Sequence, residues 1–200
     1  MQAWRGLILA FGLLLSLPLS VGDAFACACC TNTGQRYAGV QKLDSSRRAQ
    51  LDELKFSAAA TLYTGERDTE DIKGIATPAS DYELHVAQEA NRWLFDFRDK
   101  NGRSGTLTLP MPDTISIFEV DPRTDAKEGG TGTSLYKEWI VSAKAGGTGI
   151  FAAGLRGNAR VSLILHGAGN SCTDAGHFAH WTLEVKGPNA DYSFIGELVR

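Results

Sequence analysis

Short stretches in which apolar and polar residues alternate are the feature that most restricts the fold of this chain. The clearest example is 93–98, where Trp93, Phe95 and Phe97 alternate with Asp96 and Arg98. Successive side chains of a β-strand point to opposite faces of a sheet, so a period of two predicts a strand with one buried face. We therefore expect the three aromatic side chains to be buried.

A turn is predicted directly after this strand. Asn101 and Gly102 stand between it and a second alternating stretch, 106–109. Asn–Gly favours a tight hairpin because both central residues of a type I′ turn need a positive φ. The sequence thus predicts an antiparallel hairpin that joins 93–98 to 106–109.

The rest of the chain repeats this pattern, and only one short helix is predicted. Asp44 and Ser45 can cap a helix that ends near Leu54, because their side chains accept hydrogen bonds from its first free N–H groups. The pattern predicts an all-β fold, a single antiparallel β-barrel or β-sandwich of about ten strands with a short N-terminal helix. The further predicted strands are 56–63, 82–86, 114–120, 135–143, 148–153, 159–166, 179–186 and 191–199.

The first 26 residues have the organisation of a cleaved signal peptide. Arg5 precedes an apolar run at 7–19, and Ala24-Phe25-Ala26 matches the small-x-small pattern of a cleavage site. The apolar run is shorter than the roughly 20 residues that a membrane-spanning helix needs. We therefore expect a signal peptide at 1–26, a cysteine-bearing polar arm at 27–43 and a single β domain at 44–200. The mature protein would be exported, either to a periplasm or into the medium.

Cleavage there would place three cysteines at the new N-terminus. Cys27, Cys29 and Cys30 lie within four residues, and Cys172 is the fourth cysteine of the chain. In an oxidising compartment, Cys172 is a disulfide candidate with one of Cys27, Cys29 and Cys30, which would hold the arm against the domain. A lipid anchor at Cys27 is the alternative fate of that residue and would make the protein a membrane-anchored lipoprotein.

A second group of ligand-type residues lies in the segment from Cys172 to His180, with His166 upstream. Thiolates and imidazoles are the ligands that copper and zinc prefer, and a polar arm could bring its sulfur atoms to such a segment. This predicts a soft-metal site, with copper or zinc as the ion. The expected ligands are Cys27, Cys29, Cys30, Cys172, His177 and His180.

Charge and composition narrow the classes of partner. The formal net charge is −3, with 20 basic and 23 acidic residues, and this balance gives no reason to expect nucleic acid as a partner. No second apolar run is long enough to be a transmembrane segment. We expect a non-enzymatic protein that binds a soft metal ion or a small ligand. The alternatives are an interaction module, for a protein partner as yet unknown, whose arm is stapled by a disulfide to Cys172, and an exported enzyme.

Overall fold

The computed structural model describes residues 36–120, 136–168 and 178–199. They form one antiparallel sheet with a single α-helix among them, so the prediction of an all-β protein is confirmed. The helix, α1, is Ser45–Asp52. The twelve strands are β1 (Arg36–Lys42), β2 (Lys55–Phe56), β3 (Ala59–Tyr63), β4 (Asp81–Glu89), β5 (Arg92–Asp99), β6 (Ser104–Pro110), β7 (Thr114–Val120), β8 (Tyr136–Lys144), β9 (Gly146–Gly147), β10 (Arg160–Ala168), β11 (Phe178–Gly187) and β12 (Ala190–Val199).

The strand order departs from the order of the chain at four places. It runs β1-β7-β8-β10-β11-β12-β3-β4-β5-β6-β9, and β2 pairs with β12 beside β3. The last strand of the chain, β12, therefore lies between β11 and β3 in the middle of the order. The sheet is not closed, although β9, which pairs with β6 at one end of the order, follows β8 after a single residue.

Burial follows the alternation that the sequence predicts. Trp93, Phe95 and Phe97 of β5 are fully buried, as expected, and their strand neighbours face outward. The buried apolar side chains form one cluster on one face of the sheet. Phe56 of β2 contacts both Phe95 of β5 and Trp181 of β11 edge-on, with ring centroids 5.6 and 5.8 Å apart. Strands that are distant in the order thus share a core, so the sheet curves around it.

The predicted hairpin is confirmed, but its turn is longer than expected. β5 pairs antiparallel with β6, with Arg98 opposite Ser104. Of the Asn-Gly pair, only Gly102 has a positive φ, of 79°. Asp99 fixes the turn, because its carboxylate accepts hydrogen bonds from the backbone N–H groups of Asn101 and Arg103 at 2.8 and 2.9 Å.

The helix prediction is also confirmed. Asp44 is the residue before α1, and its side chain accepts a hydrogen bond from the N–H of Arg47 at 2.9 Å. This contact satisfies one of the donors that every helix start leaves free. The helix ends two residues before the predicted limit at Leu54.

Two other segments differ from expectation. The C-terminal part of the predicted polar arm, 27–43, contains β1, which pairs with β7 along seven residues. The predicted strand 148–153 is wrong, since Gly149–Phe151 is a 3-10 turn instead. Gly149 has a φ of 60°, and a Cβ there would lie 2.2 Å from the Ser104 carbonyl oxygen. The chain therefore turns away from the sheet at a position that requires glycine.

Candidate functional site

Most of the predicted site residues lie outside the described part of the chain. Of the six predicted metal ligands, only His180 is described, on the outer face of β11 and exposed to solvent. The proposed disulfide and the lipid-anchor position also fall outside it. The predicted site residues outside the described ranges are Cys27, Cys29, Cys30, Cys172 and His177.

The described chain ends that lead to these residues meet at one end of the sheet. Arg36 of β1 pairs with Val120 of β7, Val120 with Tyr136 of β8, and Tyr136 with Ala168 of β10. Phe178, the first residue of β11, pairs with Gly167 next to Ala168. Segments 1–35, 121–135 and 169–177 are thus all attached along this row, which we call the N-terminal rim.

A β-bulge next to the rim determines where His180 lies. His166 of β10 is opposite His180, while the next residue, Gly167, is opposite Phe178, so Ala179 is the extra residue. The bulge allows both Phe178 and Trp181 to be buried although they are three residues apart. Bulges redirect side chains in this way and occur often beside functional sites. Regular alternation would put Phe178 and Trp181 on opposite faces, and the bulge puts both on the buried face.

Four ionisable side chains cross the outer face of the sheet in one row. Glu138 of β8 is opposite His166, His166 is opposite His180, and His180 is opposite Glu197 of β12. We call these four residues the histidine row. Directly opposed residues of antiparallel strands have Cβ atoms about 4.5–5.5 Å apart, so neighbouring members can interact.

The His166 ring is held at both nitrogen atoms. Its Nδ1 lies 3.3 Å from Oε1 of Glu138 and 3.2 Å from the hydroxyl of Tyr136. Its Nε2 lies 3.0 Å from the hydroxyl of Thr182. The Tyr136 hydroxyl donates to Glu138 at 2.5 Å. A carboxylate accepts and cannot donate, so Nδ1 is the donor to Glu138, and in the neutral ring with that tautomer Nε2 is the acceptor.

Tyr136 belongs to the same network and remains protonated in it. Partial burial, followed by the hydrogen bond to Glu138 and the charge of that carboxylate, raises the pKa of Tyr136 to about 12. All three effects disfavour a phenolate. Tyr136 is therefore a hydrogen-bond donor at neutral pH, and it holds Glu138 in place beside His166.

Charged residues are also buried on the inner side of the rim. Glu119 of β7 and Lys137 of β8 are directly opposed and almost wholly inaccessible to solvent. The Lys137 ammonium lies 4.8 Å from the centre of the Phe178 ring, where the π face attracts a cation. The strand alternation of 135–143 assigns Lys137 to the inner face, but its charge gave no reason to expect a buried residue there.

A polar hollow lies on the outer face of β4, β5 and β6. It has a volume of about 550 Å³, and its walls include Glu83, His85, Asp96 and Thr148. The Thr106 hydroxyl donates to Asp96 at 2.5 Å, and Nδ1 of His85 is 3.7 Å from the other oxygen of that carboxylate. The alternation of 82–86 does not indicate this hollow, because its walls include Thr148 and Gly149, which follow β9 and lie far away along the chain.

The described side chains do not complete a metal centre by themselves. Within 36–120, 136–168 and 178–199, no three His, Cys, Asp or Glu side chains converge to hold an ion. The helices in these ranges are too short or too polar to cross a membrane. Comparison of the chain with protein-family models, curated proteins and solved structures finds no match.

Proposed function

We propose that this protein is exported and binds a soft metal ion, copper or zinc, without catalysing a reaction. The ligands come from Cys27, Cys29, Cys30, Cys172, His177 and His180. The observation that carries the proposal is the N-terminal rim. The chain ends at Arg36, Ala168 and Phe178, which lead to the cysteine-bearing segments, lie along one row of neighbouring strands.

The distances along this row are compatible with ligation of one ion. β1 and β10 are three steps apart in the strand order, or about 14 Å at about 4.8 Å per step. Cys30 stands six residues before Arg36, and Cys172 four residues after Ala168. An extended chain covers at most about 3.3–3.6 Å per residue, so the two segments together can span more than twice that separation.

The chemistry of the donor set favours a soft or borderline ion. Deprotonated sulfur binds Cu(I) and Zn(II) well, and an imidazole, which His180 supplies, suits both. His180 is exposed on the outer face two residues after the rim. It is thus accessible to a ligand set that comes from the rim.

A disulfide between Cys172 and one arm cysteine is the second candidate, favoured by the same proximity of the chain ends. It would make the protein a structural or interaction module whose arm is stapled to the sheet. A disulfide stabilises mainly by restricting the unfolded chain, typically by about 2–4 kcal/mol. The two candidate functions therefore predict different metal contents and different numbers of free thiols for the purified protein.

The experiment that separates them compares the parent with Cys172→Ser and with a control, His85→Ala. Copper and zinc are measured by mass spectrometry after purification without chelators, together with free thiols and melting temperature. We expect metal in the parent and in the control, and a loss of roughly tenfold or more in Cys172→Ser. A metal-free parent that takes up neither Cu(I) nor Zn(II), and in which one pair of cysteines is oxidised, would support the disulfide instead.

Export is tested on protein from its native host. Residues 24–26 fit the small-x-small pattern, so we expect cleavage after Ala26. The intact mass should then be that of a chain whose first residue is Cys27. An added diacylglycerol mass on Cys27 would indicate the lipoprotein form. A chain in the cell that still begins at Met1 would contradict export by this route.

We further propose that the curved sheet forms a barrel or a sandwich. β8 and β9 are separated only by Ala145, yet β8 pairs with β10 and β9 pairs with β6. Continuity of the chain thus brings the β6 end of the order next to β8. The single shared core supports the same arrangement.

A further inference from the structure

Two histidines oppose each other across adjacent strands of the sheet. His166 of β10 pairs in register with His180 of β11, and both are on the outer face. Two imidazoles that bind one ion have their ligating nitrogens about 3–4 Å apart, given metal–nitrogen bonds of about 2.0–2.1 Å. Cβ atoms about 4.5–5.5 Å apart on opposed residues allow that approach.

The His166 ring is already oriented as a metal-binding imidazole is. Ligating histidines usually donate their second N–H to a carboxylate, which fixes the tautomer and the ring plane. Glu138 occupies that position, 3.3 Å from Nδ1. The free electron pair on Nε2 is then directed at Thr182, which lies two residues after His180 on β11. The ligating atom thus points at the strand that carries the second histidine.

His180 has space around it for an ion and its water ligands. It borders a hollow of about 410 Å³ on the outer face of β11, β12 and β3. Thr182 and Glu197 line the same hollow. The bulge at Ala179 is what places His180 opposite His166 on this face. A hydroxyl such as that of Thr182 can rotate away from Nε2 when an ion takes its place.

We propose that His166 and His180 form a two-histidine clamp for a divalent first-row transition ion, with water completing the coordination. Imidazole suits Cu(II), Ni(II) and Zn(II), and Cu(II) binds such nitrogen sites most tightly among them. Glu138 is a positioning residue that holds the His166 ring. His180 is also among the ligands of the cysteine-containing metal site of the proposed function, which we call the thiolate site. The clamp needs no cysteine and does not depend on that site.

The test uses Cu(II) as the probe and the full chain, reduced and then alkylated so that its thiols neither bind nor reduce copper. Tryptophan quenching gives the affinity, and electron paramagnetic resonance gives the number of nitrogen ligands. We expect His166→Ala and His180→Ala each to weaken binding by roughly tenfold or more and to remove one nitrogen from the spectrum. Glu138→Gln should weaken binding by about tenfold while both nitrogens remain, since outer partners typically contribute 10–100-fold.

His85→Ala is the matched control, because His85 is also an exposed histidine on the outer face beside a carboxylate. We expect it to bind Cu(II) as the parent does. Unchanged binding in His166→Ala and His180→Ala, or an equal loss in His85→Ala, would overturn the clamp. His166 is not among the ligands of the thiolate site, so its substitution tests the clamp alone, whereas metal loss in Cys172→Ser tests the proposed function alone.

Discussion

Asp99 shows how a single carboxylate can determine the geometry of a turn. Its side chain is 1% exposed and forms a 2.6 Å ion pair with Nε of Arg103, besides the two backbone contacts described above. Burial raises the pKa of Asp99. The hydrogen bonds from Arg103 and Asn101, together with the charge of Arg103, lower this pKa by more than burial raises it, so the net shift is downward. The ionised form is therefore the one that the folded turn binds.

The pH dependence of stability follows from that direction. A carboxyl whose folded pKa is below its unfolded value, about 3.9, stabilises the fold above that value and loses this contribution as the pH falls through the folded pKa. We expect Asp99→Asn to lower the melting temperature at pH 7, and the difference from the parent to shrink as the pH falls below the unfolded pKa of about 3.9. Thermal denaturation across this range is the measurement. The exposed Asp113→Asn should match the parent throughout, and an equal decrease there would contradict the assignment to Asp99.

Among the elements, the β11–β12 pair depends on a missing side chain. Gly196 of β12 is directly opposite Trp181 of β11. A Cβ on Gly196 would lie 2.4 Å from Cζ2 of the Trp181 ring, and that ring is 1% exposed. The indole N–H donates to the Glu197 carbonyl at 3.2 Å, which keeps the ring against this glycine. The large side chain and the glycine therefore form one packing unit.

Gly196→Ala should consequently destabilise the protein by overpacking, at a cost of about 1–3 kcal/mol in the free energy of unfolding. Denaturant unfolding followed by tryptophan fluorescence measures it. The control is Gly146→Ala in β9, where the new Cβ would lie 3.4 Å from the nearest atom, an ordinary contact. That variant should stay within about 0.5 kcal/mol of the parent. Equal stability of the two variants would show that the Trp181 ring moves without cost.

At the scale of the whole molecule, the sequence predicts what depends on neighbours along the chain. Alternation identifies β5 and its three buried aromatic residues, and Asp44 marks the start of α1. It misidentified 148–153, because Ile150 and Phe151 are as apolar as strand residues and the positive φ of Gly149 decides the local structure.

The candidate site depends on relations that local patterns do not contain. His166 and His180 are opposed because of the register of β10 with β11 and a bulge at Ala179. No local sequence pattern predicts that bulge. Glu138 joins them from a strand almost thirty residues away. Sequence reasoning grouped His180 with the nearby His177 and did not pair it with His166, since cross-strand register is set by tertiary packing.

The position of β12 has a consequence for how this protein can be made. The ten residues of β12 lie between β11 and β3, so β3, whose residues leave the ribosome early, gains that neighbour only after β12 has been synthesised. Pairing across such a long stretch of chain is slow. The sheet therefore stays incomplete on the nascent chain until β12 has been synthesised and has paired with β3.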